Sequence, residues 1–321
     1  MSRMRYYFRT HFKRVTWIYQ FLRMLGRNVG YAPKFTYGGV KSKDVFFFVI
    51  DPRFKHPGLA DRMKAIIFCY NEAKKNGLKF KIIFKEPFKL EDYLMPVDIA
   101  KDWVADYGDL EYSVFYTRFV NEVRGWDLKA RKGRQYHCYN YTGDTIPEIF
   151  EDTGYRWDDL YNELFTPSLD IQKAIAATGI EAKTYIAIHL RFVNALECFE
   201  EGHFNALRTE EEKKKLIVRC QNGILHIMHR HPCCKAMIFS DSKRFISSLD
   251  SMDVITLDPV AVGHICYNNN CEQLLKTFLD QYMISRAVKV YMVTAPEMYG
   301  NSCFSLCGAR IGGVEYETVR V

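Results

Sequence analysis

His189 and Arg191 are the residues whose types and spacing best suit chemistry. They close the stretch Thr184-Tyr-Ile-Ala-Ile-His-Leu-Arg-Phe192, in which Tyr185 to Ile188 reads as a short apolar strand of the buried, parallel kind. Two residues apart at the carboxyl edge of a strand, their side chains share one face. Ligands of open α/β sheets bind just beyond that edge. A planar guanidinium there can grip a phosphate or pyrophosphate through two hydrogen bonds. The competing reading is an arginine that pairs with a carboxylate and holds the fold. Upstream, Gly58 stands at a helix entrance, where it would let backbone N–H groups approach a ligand, or would simply make a turn. A third group, His226, His229, His231, Cys233 and Cys234, carries metal-ligating side chains. Its spacing fits no zinc pattern, no second ligand pair stands at a fitting distance, and Pro232 breaks the segment. It reads as a surface helix end with two buried thiols, and no metal is expected.

The elements that must position these residues follow a strand–helix rhythm. Asp44 to Ile50 predicts a buried first strand, Leu59 to Lys75 an amphipathic helix ended by Asn76-Gly77, and Lys79 to Phe84 a second strand. Together they form a βαβ unit. Residues 85–165 have no clear period but are dense in Tyr and Trp, which suit a sugar-binding cleft or an ordinary core. Arg156 to Phe165 predicts a helix, Pro167-Ser168 a crossover, and Leu169 to Ala177 a connecting helix. Beyond the central strand comes a long loop, Val193 to Arg208, and then a helix from Thr209 to His229. Thr209 and Glu212 form a capping-box pattern, and the EEEKKK run is its solvated first turns. Strands at Ala236–Phe239, Val254–Leu257 and Val288–Val293 alternate with helices at Lys243–Leu249, Cys271–Ser285 and Ser302–Ala309. Val314 to Val321 closes the chain. The class is α/β, and the second half alternates as a Rossmann-like domain does.

A chain of 321 residues, 48% hydrophobic and 15% aromatic, can bury a large core and suggests two domains. Its net charge of +7 is unevenly placed: residues 1–43 carry ten Lys or Arg and no acid, so the rest is mildly acidic. A nucleic-acid surface spread over the body is therefore not expected. In the basic arm, Tyr6, Tyr7, Phe8, Phe12, Trp17, Tyr19, Phe21, Leu22 and Leu25 interleave with the bases. That composition fits a segment lying on an anionic membrane surface, or a helix packed on the body with a solvated basic face, with RNA binding a weaker third reading. Gly26, Gly30, Pro33, Gly38 and Gly39 mark a linker. No apolar run reaches the roughly 18 to 20 residues of a membrane span. The ten cysteines follow no disulfide pattern and no signal-peptide pattern precedes them, which predicts reduced thiols in a cytoplasmic protein, peripheral on the inner membrane surface where the arm serves as a membrane segment.

Three blocks, in order, resemble the GDP-fucose-dependent fucosyltransferase superfamily of α1,2-, α1,6- and protein O-fucosyltransferases. Gly58-Leu-Ala-Asp-Arg62 is similar to that family's G-L-G-[ND]-R/Q, and His189-Leu-Arg191 to its H-x-R. The C-terminal pair is Phe239-Ser-Asp-Ser242 with Asn301-Ser-Cys-Phe-Ser305 before Ala309, similar to S-x-F-S-x-x-A. Phe192-Val-Asn-Ala departs from the R/x-G-D continuation of many relatives and is closer to the H-L-R-F type.

The resemblance implies a GT-B architecture: two Rossmann-like domains facing across a cleft, an acceptor domain over 44–168 and a nucleotide-sugar domain over 169–321, preceded by the arm 1–43. It implies an inverting transferase that moves fucose from GDP-fucose to a glycan or glycolipid hydroxyl without a metal or other cofactor. Arg191 would contact the donor pyrophosphate, with His189 supporting it and Gly58 at the first loop. Asp241 and Ser242 would lie near the nucleoside. Ser302, Phe304 and Ser305 would offer hydroxyls and helix-end N–H groups to the phosphates. Asp61 is the candidate general base; an acid favoured by its helix dipole is the other reading. The alternatives are a non-catalytic glycan- or nucleotide-binding protein on the same fold, or a GT-B transferase using another nucleotide sugar. A kinase is disfavoured because no G-x-x-x-x-G-K-[ST] loop is present.

Overall fold

Val45-Phe-Phe-Phe-Val49 has five consecutive apolar side chains, all buried, and forms strand β1. A strand covered on both faces needs that pattern. The fold is given by a computed structural model that describes residues 34–53, 56–98, 102–121, 128–140, 153–197, 206–257 and 270–321. The basic arm over 1–33, with the Gly26 to Pro33 part of the linker, lies outside the described residues. So do Trp126, Tyr141 and most of the loop between Val193 and Arg208.

The chain gathers into two compact units. Of the described residues, the first comprises those from 34 to 49, from 72 to 83 and from 104 to 140. Its sheet has the order β2-β1-β5-β4, where β2 is Lys79–Ile83, β4 Thr117–Asn121 and β5 Gln135–Asn140. Every pairing in it is parallel. Val45, Phe47, Val49, Ile83, Leu110, Tyr112 and Tyr139 form one core of this unit. His137 is wholly buried among the rings of Phe47, Tyr112, Phe119 and Tyr139, and burial pushes its imidazole down to about 3. It is a neutral core histidine, bonded to Gln135 Oε1 at 2.8 Å.

The second unit comprises Ile50–Asn71, Phe84–Trp103 and Thr142–Val321. Helix α1 (Leu59–Lys75) begins in it. It holds a small antiparallel pair, β3 (Leu94–Pro96) with β6 (Phe165–Pro167), and helices α2 (Trp157–Leu164) and α3 (Leu169–Ala177). Its main sheet is parallel, in the order β11-β10-β7-β8-β9. These strands are β7 (Tyr185–Leu190), β8 (Lys235–Ser240), β9 (Val254–Thr256), β10 (Val290–Thr294) and β11 (Tyr316–Arg320). Between them run α4 (Glu210–His229), α5 (Lys243–Ser247), α6 (Cys271–Ser285) and α7 (Phe304–Ile311). The order reverses between β7 and β10, the topological switch point at which doubly wound sheets bind ligands.

Strand β7 divides the core by its period of two. Ile186, Ile188 and Leu190 pack with Leu216, Ile224 and Ile227 of α4 and Phe245 of α5. Tyr185 and Ala187 pack on the other face with Met283 and Ile284 of α6 and Ala309 of α7. His189 therefore turns toward α6 and α7. The Thr209–Glu212 capping box at the start of α4 is formed in both directions. Helix α7 lies close against α6: a Cβ at Gly308 would meet Ile284 Cγ2 at 2.7 Å, and one at Gly312 would meet the Ser285 carbonyl oxygen at 1.9 Å.

Most of the described aromatic rings of residues 85–165 prove to be core. Tyr93, Trp103, Tyr112, Tyr136, Tyr139, Trp157 and Tyr161 are buried. Trp103 Nε1 donates to the Leu164 carbonyl at 2.9 Å, and Tyr93 stacks on Phe278 at 4.7 Å. The His/Cys cluster after α4 differs from expectation in one respect. Cys233 is exposed and Cys234 only half-buried, because both follow the helix end in a surface turn. His231 Nε2 lies 2.6 Å from the Tyr291 hydroxyl. Among the described residues no three His, Cys, Asp or Glu groups are placed to hold a metal.

Candidate active site

Three strand ends of the second unit meet where the sheet order reverses. Arg191 follows directly on β7, and Asp241 directly on β8. Asp241 has a buried carboxylate that accepts the Phe192 N–H at 2.7 Å and the Val193 N–H at 2.9 Å. Its Oδ2 also lies 3.4 Å from Arg191 Nε. A carboxylate so placed fixes both the guanidinium and the turn after it. Val193 sits at φ 52°, a left-handed conformation that a β-branched residue rarely adopts. Its backbone is thus held by contacts from a distant strand end. Ser242 lies beside Asp241 and caps α5, accepting from Phe245 N.

His189 is buried in the last turn of strand before Arg191, and Ser305 Oγ lies 3.1 Å from its Nδ1. The Phe304 ring packs on the imidazole at 5.6 Å. Burial, with the Arg191 charge adding to it, pushes His189 down to about 3, so the ring is neutral near pH 7. Its contribution is an oriented hydrogen-bonding edge, not a charge. Ser305 is fully buried and anchors that edge, while Ser302 and Cys303 stand at the open start of α7, whose first-turn N–H groups form an anion-favouring end. At the end of β10, Thr294 Oγ1 is buried and makes no hydrogen bond to any described residue. It faces Gly300, where a Cβ would come within 3.3 Å of it.

The first turn of α1 belongs to the same unit. Gly58 precedes it, and its carbonyl accepts the Arg62 N–H at 3.1 Å. Arg62 is a buried staple: its Nε donates to the Pro57 carbonyl at 2.8 Å and its guanidinium lies over the Phe84 ring. Asp61 Oδ1 is 2.6 Å from Lys64 Nζ, and the Asp61 side chain is 37% exposed. Lys64 is almost wholly buried and also reaches Cys303. Burial works to lower its ammonium, but Asp61 and Cys303 outweigh that and hold it above its ordinary value. Lys64 therefore stays charged beside the start of α7.

The structure thus brings His189, Arg191, Asp241, Ser302, Phe304 and Ser305 to the carboxyl edge of one sheet, and Asp61 to the same helix start through Lys64. Sequence reasoning missed Lys64 and Thr294. A lysine inside an amphipathic helix carries no local mark of burial, and a threonine ending a strand is an ordinary β-former.

No family model and no curated protein matches the sequence. Solved structures do match. A NodZ α-1,6-fucosyltransferase soaked with GDP-fucose aligns with a TM-score of 0.55 at 13% identity, over 83% of this chain and 92% of that one. A fucosyltransferase NodZ from Bradyrhizobium gives 0.52 at 13% identity, over 82% and 91%. A mutant of Arabidopsis thaliana FUT1 in complex with GDP gives 0.51 at 10% identity, over 85% and 70%. The resemblance carried by the three ordered sequence blocks is borne out in the fold: the chain shares with these fucosyltransferases a mixed α/β fold built on parallel sheets.

Proposed function

We propose that this protein is an inverting glycosyltransferase that moves fucose from GDP-fucose to a glycan hydroxyl. The observation that carries this reading is Arg191, locked by Asp241 at the switch point of a fold shared with fucosyltransferases. The acceptor oxygen attacks the anomeric carbon, and the bond from that carbon to the diphosphate oxygen breaks. The electron pair leaves on the diphosphate, where the Arg191 guanidinium, the Lys64 ammonium and the α7 amides neutralise its charge. Preorganised donors of this kind each contribute roughly 10²- to 10³-fold in rate. That charge supply makes a metal ion dispensable in the proposed reaction. Asp61 gives one oxygen to Lys64 and keeps its side chain partly exposed, so we assign it the acceptor proton. Ser242 and Gly58 complete the donor contacts in this reading. The acceptor is a glycan, or a glycolipid if the basic arm 1–43 holds the protein on an anionic membrane surface at the cytoplasmic side.

The test is thermal unfolding with GDP, GDP-fucose, GDP-mannose, UDP, CMP and ATP, for wild type and Arg191→Ala, followed by donor turnover. A ligand at about 100 times its dissociation constant adds roughly 2.7 kcal/mol. Stabilisation by guanine nucleotides alone, lost in Arg191→Ala, supports the donor site. A response to UDP or CMP keeps the transferase and replaces the donor. Binding without transfer or hydrolysis supports the non-catalytic alternative, and no response to any nucleotide refutes the site.

A further inference from the structure

The amino ends of β1, β4 and β5 in the first unit carry a surface that the transferase reading does not use. Tyr37 is 80% exposed and Phe115 56%, with Val114 and Tyr116 also exposed. The Tyr37 and Phe115 rings lie 6.5 Å apart. This apolar group is built, not frayed. Thr36 bridges Ser113, with Thr36 N–H donating to the Tyr112 carbonyl and Val114 N–H to that of Thr36, at 2.8 and 2.9 Å. Ser113 Oγ donates to the Gly38 carbonyl at 2.5 Å.

Cations border it. Lys34 lies over the Tyr112 ring at 5.3 Å. Arg118 is close enough to Arg131 and Arg134 for both to oppose its charge. Among the described residues no carboxylate pairs with Arg118, Arg131, Lys132 or Arg134. Two acids of this region point at backbone instead of at these cations: Glu111 accepts the N–H groups of Lys41 and Ser42, and Asp44 that of Gly133. Like charges gathered with no carboxylate paired to them among the described residues favour an anionic partner.

We propose that this face of the first unit docks on an anionic lipid bilayer, its exposed rings entering the interface and its arginines meeting the headgroups. Aromatic side chains at headgroup level and cations above anionic lipid are the chemistry of such contacts. The N-terminal arm is a poor occupant for the same surface, because residues 1–33 contain seven Lys or Arg and no acid. Basic arm and basic face would repel each other, yet both suit one negative plane. Val114 is aliphatic and exposed, and offers no ring face on which a base could stack, which favours a bilayer over a nucleic acid.

The test is sedimentation of the full chain with phosphatidylcholine vesicles, with and without phosphatidylserine, for wild type, Arg131→Glu/Arg134→Glu and Tyr37→Ser/Phe115→Ser. Each near-surface cation contributes about 1 kcal/mol, so the charge-reversed variant should bind phosphatidylserine vesicles about tenfold or more weakly. The Ser variant should also bind more weakly, and both should keep the wild-type Tm. Phe115→Trp should show quenching by brominated lipid beyond that of wild type, whose own Trp17 lies in the arm. Undiminished binding of both double variants, or a Phe115→Trp quenched no more than wild type, overturns the proposal. So does loss of poly(U) binding in these variants with vesicle binding intact, which would mark a nucleic-acid surface.

Discussion

Asp241 Oδ2 stands 3.4 Å from Arg191 Nε and also accepts the Val193 N–H, so one carboxylate aims the guanidinium and holds the backbone beyond it. The alternative of an arginine that merely serves the fold is thereby sharpened. Arg191 does pair with a carboxylate, and that pairing is also what would orient it toward a ligand. Asp241→Asn tests the coupling. An amide keeps one acceptor oxygen but loses the charge and one of the two N–H bonds. We expect stability to fall by roughly 1–3 kcal/mol and GDP affinity by about tenfold or more, although Arg191 is intact. Calorimetry of GDP binding alongside urea unfolding measures both, and unchanged affinity would refute the positioning role.

Thr294 separates binding from stability. Its buried hydroxyl lacks a partner among the described residues, so Thr294→Val removes an unsatisfied group while keeping the shape. The ligand-free protein should be equally stable or gain about 1 kcal/mol. If the hydroxyl serves the donor, GDP-fucose binding should weaken several-fold in the same variant. A variant that gains stability and binds as wild type would show Thr294 to be outside the site.

His189 gives a pH signature. Its folded value, about 3, lies below the ordinary 6.5, so protonation favours the unfolded chain. The contribution to stability is full above about pH 6.5 and is lost as pH falls toward about 3. The limiting slope is about 1.4 kcal/mol per pH unit for one proton. His189→Asn, whose amide oxygen can replace Nδ1 opposite Ser305, should be less stable at neutral pH but lose less on acidification. His137, depressed in the same way, remains in both proteins, so the difference between the two urea-unfolding profiles reports His189 alone.

Gly308 and Gly312 set how closely α7 approaches α6. Gly312→Ala would drive a methyl into the Ser285 carbonyl, and backbone cannot swing aside as a side chain can. Its cost should exceed that of Gly308→Ala, where the Ile284 side chain is the nearest obstacle, and should reach the roughly 1–3 kcal/mol of overpacking or more. Thermal melts rank the two. If Gly312→Ala melts like wild type, α7 is not clamped by this contact.

Much of the scaffold was legible because it is local. Leu59–Lys75, Leu169–Ala177 and Cys271–Ser285 follow from apolar periodicity and terminal residues, and the Thr209–Glu212 box from four adjacent positions. Strand ends shifted by a residue or two: β7 extends through His189 to Leu190. The sheet partners β4 and β5 were hidden because Gln135-Tyr-His-Cys-Tyr-Asn140 mixes polar groups into a buried strand, satisfying them sideways through His137 and Gln135. At the site, the H-x-R pair could be seen in sequence, but not its Asp241 lock or the Lys64–Cys303 contact. Those depend on which strand ends the topology makes neighbours.

That dependence has a consequence for biosynthesis. Phe192 reaches its carboxylate 49 residues later, and His189 its serine 116 residues later. A ribosome that has delivered Arg191 has therefore delivered an arginine with no fixed direction. The His189–Ser305 contact can form only after the start of α7 emerges, so on the proposed reading nucleotide affinity should be silent in every nascent chain that stops short of Ser305, reporting how far synthesis has run.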